Sequence, residues 1–233
     1  MSRRLEARGQ SEDIVPKERW GVSFCVVTIS GKPGSGNTAL GQGLGDKYGV
    51  EVSHVGEAYR KGIEEHNIPV IDYSRRPVKT DEEIDEMQAQ AIRRAIEMTG
   101  HPIIKESKLA GVIATEVLDK TDAGQKALSP VARILVVADE NVRAERIQKR
   151  ESEKNPGLEV TQEEIQDRTK NRWKRDLTRY RIIHPQLADI DPWDPESADK
   201  FYDFVIDTTD LTPEEAVQKV HEFLASRGMV NLT

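Results

Sequence analysis

Short β-branched runs, punctuated by glycine and proline, alternate along this chain with longer stretches of helical period. The first run, VSFCVVTIS (22–30), is apolar at successive positions and stops at a glycine cluster, the pattern of a strand buried on both faces. Comparable runs recur as EVSHV (51–55), PIIK (102–105), RILVVA (133–138) and DFVID (203–207). Their alternation with helical segments predicts an α/β fold, a parallel sheet flanked by helices. Cys25 is expected simply to pack within the first strand. Three helices announce their starts with a Thr followed three residues later by Glu, at Thr80 and Glu83, Thr161 and Glu164, and Thr212 and Glu215. Pro213 takes the first helical position of the last. The helix from Asp81 aligns Ile84, Met87, Ala91, Ala95 and Met98 as its packing stripe and ends at Gly100. The final helix aligns Val217, Val220, Phe223 and Leu224 and ends at Gly228.

Residues 1–20 are charged and aperiodic, so they read as a polar N-terminal extension with Trp20 as its candidate anchor, ahead of one domain over 21–233. The segments 152–160 and 185–195, the second rich in proline, are the two expected mobile loops. The 233 residues suffice for one α/β core with a small appended segment but not for two large domains, and with 36% hydrophobic and 32% charged residues wholesale disorder is excluded. Lys and Arg number 34 against 41 Asp and Glu, and the net charge of −7 argues against general affinity for nucleic acid or an anionic membrane. Any basic site is therefore local. A single cysteine excludes an internal disulfide and fits a reducing compartment. No run approaches the roughly 18 apolar residues of a membrane span, so a cytoplasmic protein is expected.

Seven of the sixteen glycines fall between Gly31 and Gly49, and the stretch opens as Gly31, Lys32, Pro33, Gly34, Ser35, Gly36, Asn37 and Thr38. After a strand and before a helix, this is a P-loop with one substitution. Its glycines let successive backbone N–H groups curl inward, and the following helix adds a positive N-terminal end, so a polyphosphate is held largely by main chain. Thr38 occupies the position that coordinates Mg²⁺, while Asn37 replaces the usual lysine. Lys32 is the candidate to supply the missing charge at the β- and γ-phosphates. The next helix carries Leu40, Leu44 and Tyr48 on one face and also Gly41, Gly43 and Gly45. Each glycine costs about 1 kcal/mol relative to alanine, so the helix is soft unless they pack closely against a neighbour.

On the helix from Thr161, Arg168, Arg172, Arg175 and Arg179 share one face, with Glu164 and Asp176 available to pair two of them. Ile165 and Trp173 lie on the opposite face, expected to be only partly packed. Arg143, Arg146 and Arg150 form a shorter stripe before the 152–160 loop. Guanidinium grips phosphate through two parallel hydrogen bonds, so two basic arms flanking a loop describe a lid over about 150–180. The five histidines show no metal-ligand spacing and are expected on the surface or in packing.

The residues resemble the cytidylate kinases among the nucleoside monophosphate kinases, and more closely the archaeal-type members whose loop reads G-P-P-G-S-G-T-T, also without the lysine. HVGEAYR (54–60) is similar to their S-G-x-x-[FY]-R, ESKLAG (106–111) to E-G-R-L-A-G, RWKRDLTRYR (172–181) to R-x-x-R-D-x-x-R-Y, and YDFVIDTT (202–209) to Y-D-L-V-I-N-T-S. Ser107 and Lys108 replace the family's glycine and arginine. The resemblance implies a P-loop NTPase fold with small monophosphate-binding and lid segments. It also implies ATP with Mg²⁺ as cofactors, and transfer of the γ-phosphoryl to a pyrimidine monophosphate. Arg60, Lys108, Arg172 and Asp176 would then hold the acceptor. Lys32, Arg146, Arg175 and Arg179 would act on the transferring phosphates, and Glu106 would stand beside Thr38 at the metal. Two other readings stay open, another small-molecule P-loop kinase and a nucleotide-binding regulatory protein without turnover. The oligomeric state is likewise open, with a monomer the simpler expectation.

Overall fold

The computed structural model describes residues 21–55, 78–98, 100–122, 125–126, 130–154, 156 and 159–231. The N-terminal extension, Trp20 and Arg60 lie outside them. Five runs of the expected kind form one parallel sheet: β1 (Val26–Gly31), β2 (Val52–His54), β3 (Ile103–Glu106), β4 (Val131–Val137) and β5 (Phe204–Asp207). They lie in the order β2-β3-β1-β4-β5. β1 is buried at all six positions, with Val26 opposite Ile103 on one side and Val131 on the other. That is why its sequence is a continuous apolar run rather than an alternation. The loop following β1 emerges where the neighbouring strands lead the chain to opposite sides, the usual place for a ligand in an open parallel sheet.

Alternate strand residues serve two cores. On one side Val27, Ile29, Ile104, Ile134 and Ile206 pack with α1 (Asn37–Tyr48) and α6 (Pro213–Ser226). On the other, Val26 and Leu135 pack with α2 (Val78–Glu97), α3 (Ala110–Asp119) and Tyr180 of α5 (Gln162–Ile183). α4 (Glu140–Lys154) meets α5 through a small cluster of Ala144, Ile147 and Ile165. Ile165 is therefore buried, whereas partial packing was expected of it; Trp173 is half-buried. Cys25 is buried in the α2/α3 core.

The glycines of α1 resolve as close packing. A β-carbon on Gly43 would clash with Val217 of α6, and one on Gly45 with Val52 of β2. The helix is thus drawn against both neighbours, which offsets its poor intrinsic propensity.

Thr161 and Thr212 each form the reciprocal capping box with Glu164 and Glu215. Thr80 does not cap, because α2 already includes Val78 and Thr80 lies in its first turn. The packing stripe of α2 also differs from the expected one. Its buried face is Asp81, Asp85, Gln88, Ala89, Ile92, Ala95 and Ile96, while Met87 and Met98 are exposed. The inward face carries carboxylates with buried partners, so apolar spacing alone misplaces it by part of a turn. The proline-rich 185–195 segment is anchored rather than loose. It contains a 3₁₀ turn at Pro185–Leu187, buries Leu187 and Trp193, and is tied by Trp193 Nε1 donating to Lys108 O at 2.7 Å. No described helix is long and apolar enough to cross a membrane.

Candidate nucleotide and acceptor site

The loop 31–38 is shaped by two residues of positive φ, Gly34 (84°) and Gly36 (99°), which side chains rarely tolerate. Gly34 also lies so close to Arg143 O that a β-carbon could not be added. Gly36 caps α1 without any side-chain hydrogen bond, and the first turn of α1 has no acidic residue. Its leading N–H groups therefore remain directed at the loop, the arrangement that holds an anion.

Asn37 is buried and turned into the loop. Its Nδ2 donates to Gly31 O at 3.0 Å, and its Oδ1 lies 2.8 Å from the Ser35 hydroxyl. In the position of the usual lysine, the chain thus has an amide that fastens the two ends of the loop together. Lys32 reaches sideways, with Nζ 3.5 Å from Asp191 Oδ2 and 4.9 Å from the centroid of the Trp173 ring. The first loop cation is in this way joined both to α5 and to the 185–195 segment. Beside it lies a cavity of about 540 Å³, walled by Lys32, Ser35, residues 136–139, Arg143, Asp191, Trp193, Asp194, Pro195 and Asp207.

Thr38 Oγ1 stands 3.5 Å from Glu106 Oε2, at the end of β3. A hydroxyl and a carboxylate beside a phosphate-binding loop make an all-oxygen donor set that fits Mg²⁺. Arg146, from α4, spans the loop and the end of β5. Its guanidinium donates to Thr208 O at 2.7 Å and Thr208 Oγ1 at 3.1 Å, and reaches Gly34 O at 3.5 Å. Thr208 Oγ1 in turn lies 2.7 Å from Ser35 O. Hydrogen bonds from Thr209, together with the Arg146 charge, hold the Asp207 carboxyl below its ordinary range.

The arginine face of α5 is divided. Arg168 is exposed and sits 3.5 Å from Glu151, and Arg175 is exposed. Asp176, 1% exposed, pairs with Lys108 and lies 3.7 Å from Arg172. Three of the four expected acceptor residues are therefore in one cluster, and the fourth, Arg60, is outside the described residues. Arg179 is buried against the fully buried Asp81 of α2, its Nε donating to Oδ2 at 2.7 Å. Glu164 is taken up by the cap of α5 and not by an arginine.

Beyond Arg179 a second buried ionic link follows. His184 Nε2 is 3.1 Å from Asp85 Oδ2 and its Nδ1 is 2.6 Å from Glu116 Oε1. Burial alone would lower the imidazole pKa, but hydrogen bonds to Asp85 and Glu116 push it up to about 9. Burial raises the Asp85 carboxyl. Sequence reasoning had no handle on Asp81, Asp191, Thr208 or His54. Each acts on a partner far along the chain, and the segments that hold His54 and Thr208 do not reveal those partners.

Comparison with known proteins agrees with this fold. A family model described as an AAA domain matches residues 27–171. The chain is similar to a cytidylate kinase of Methanopyrus kandleri, with 32% identity over 193 residues covering 82% of this chain and 88% of that one. It is also similar to a cytidylate kinase of Natronomonas pharaonis, with 30% identity over 189 residues covering 81% and 83%. Among solved structures, an uncharacterized protein from Eubacterium ventriosum shares the fold, with a TM-score of 0.56 at 16% identity over 87% of this chain and 99% of that one. With its phosphate-binding loop, parallel sheet and these relatives, the chain belongs to the cytidylate kinase family of P-loop kinases.

Proposed function

We propose that this protein transfers the γ-phosphoryl group of ATP to CMP or dCMP, giving ADP and the pyrimidine diphosphate. Two anion-directed features on one edge of the sheet carry the proposal. They are the main-chain loop 31–38 after β1 and the cluster of Lys108, Arg172 and Asp176, whose Lys108 follows β3, the neighbour of β1. Phosphoryl transfer needs positioning and charge neutralisation with little covalent chemistry, which suits such a site. Loop N–H groups and the start of α1 hold the ATP phosphates. Mg²⁺, when bound beside Thr38 and Glu106, neutralises phosphate charge. Lys108 and Arg172 meet the acceptor, with Asp176 holding both in register. Arg146 supports the loop from the lid side through Gly34 and Thr208. Arg175, exposed on α5, closes over the transferring group.

A second reading, nucleotide binding without turnover, is favoured by the turned-in Asn37 and by Lys32 resting on Asp191. An ADP-release assay across all nucleoside monophosphates separates the two. The kinase reading predicts release that depends on CMP or dCMP, whereas ATP binding with no acceptor-dependent ADP supports the second.

A further inference from the structure

Side chains from two elements converge on one carboxylate oxygen of a third. Glu106 Oε2, at the end of β3, lies 3.1 Å from His54 Nδ1 and 3.5 Å from Thr38 Oγ1. The β2–β3 register sets His54 directly opposite Glu106, so the two side chains leave neighbouring strand ends side by side. Both are only 14% exposed. In the tautomer that carries its hydrogen on Nδ1, His54 donates to this carboxylate oxygen.

A glutamate at a strand end has three rotatable bonds and no intrinsic reason to keep its carboxylate over a neighbouring helix. The Thr38 contact, at 3.5 Å, is at the limit of a hydrogen bond and cannot fix it. The imidazole, on a two-torsion side chain rooted in β2, is shorter in contact and stiffer. We infer that His54 is a positioning residue that holds Glu106 with Oε2 toward Thr38, so that the Thr38 hydroxyl proton is directed to the carboxylate and its lone pairs toward a divalent cation. Outer partners that orient the groups around a metal typically cost about 10–100-fold in affinity or activity when they are removed. The inference rests on the reading of Thr38 and Glu106 as the magnesium site.

The test is Mn²⁺ affinity of the full-length protein–ADP complex, read by electron paramagnetic resonance, in two contrasting variants. His54→Phe keeps the ring volume and removes the donor; His54→Asn loses volume and keeps a donor at nearly the same place. The expected result is a loss of about tenfold in Mn²⁺ affinity for His54→Phe and a change within about twofold for His54→Asn, with metal-free ADP affinity unchanged in both. Any other order overturns the role of His54, including a greater loss in His54→Asn, the mark of packing alone. Thr38→Ala is run alongside. If it leaves Mn²⁺ affinity unchanged, the magnesium site itself is misassigned and the inference falls with it. If Thr38→Ala weakens the metal and His54→Phe does not, only His54 is wrong.

Discussion

The loop after β1 and the arginine face of α5 both carry features suited to an anion, main-chain N–H groups in one and guanidinium groups in the other, yet they are built by opposite means. In the loop, charge is nearly absent from the part that faces the ligand. The shape is set by Gly34 and Gly36, fastened by Asn37 across Gly31 and Ser35, and held by main-chain dipoles that need no counter-charge of their own. On α5, charge is abundant, and the protein spends much of it on itself. Arg179 is committed to Asp81 and His184 to Asp85 and Glu116, so the lower half of the helix is an ionic seam to α2 and α3. In the upper half Arg168 and Arg175 are exposed and Arg172 lies beside Asp176. Four arginines on one face are therefore not four equivalent clamps, and position along the helix decides whether each holds the fold or the substrate.

The largest effect expected from this contrast is at Arg179. Arg179→Met would strand a fully buried Asp81 and cost about 3–5 kcal/mol in urea unfolding, with Asp81→Leu added to the same protein recovering most of it. A variant as stable as wild type but slow in turnover would return Arg179 to the lid. The seam also sets a pH dependence. The His184 pKa is raised when folded, from 6.5 to about 9. Its contribution is thus complete below about pH 6.5 and lost as pH rises through about 9, amounting to at most about 3 kcal/mol. Unfolding free energies measured from pH 6 to 9.5 should fall in wild type and stay flatter in His184→Gln; parallel curves would contradict the seam.

How legible these regions were in the sequence follows from the same contrast. The loop, the strands and the capping boxes at Thr161 and Thr212 are local, since each needs only residues a few positions apart. The ionic pairs join residues 98 apart for Arg179 and Asp81, 99 for His184 and Asp85, and 68 for Lys108 and Asp176. No periodicity reveals such partners. Their burial also explains the displaced stripe of α2, where Asp81, Asp85 and Gln88 occupy places that an apolar rule reserves for Met87 and Met98. In the 185–195 segment, the prolines gave the correct sign of irregular backbone, while the anchoring of Trp193 on Lys108 O was invisible.

Two smaller effects sharpen the loop side of the comparison. Asn37→Ala should cost about 1–2 kcal/mol in stability, from two lost hydrogen bonds, and weaken ATP binding measured by calorimetry. If Asn37→Lys leaves stability and ATP affinity both improved, the amide is not a fastener. Lys32→Ala should reduce kcat/KM for ATP about tenfold, or about 1.4 kcal/mol, and change Trp173 fluorescence in the nucleotide-free protein as the cation leaves its ring. Unchanged kinetics would confine Lys32 to its pairing with Asp191.

The most direct test of the central claim, that a main-chain loop with Asn37 in place of the usual lysine and a Lys108–Asp176–Arg172 cluster together carry phosphoryl transfer, is phosphorus NMR of wild-type protein with ATP, Mg²⁺ and CMP. The account predicts that the γ-phosphate signal of ATP declines as ADP and CDP signals grow in equal measure. An ATP spectrum unchanged by CMP, or inorganic phosphate as the sole new product, would contradict it.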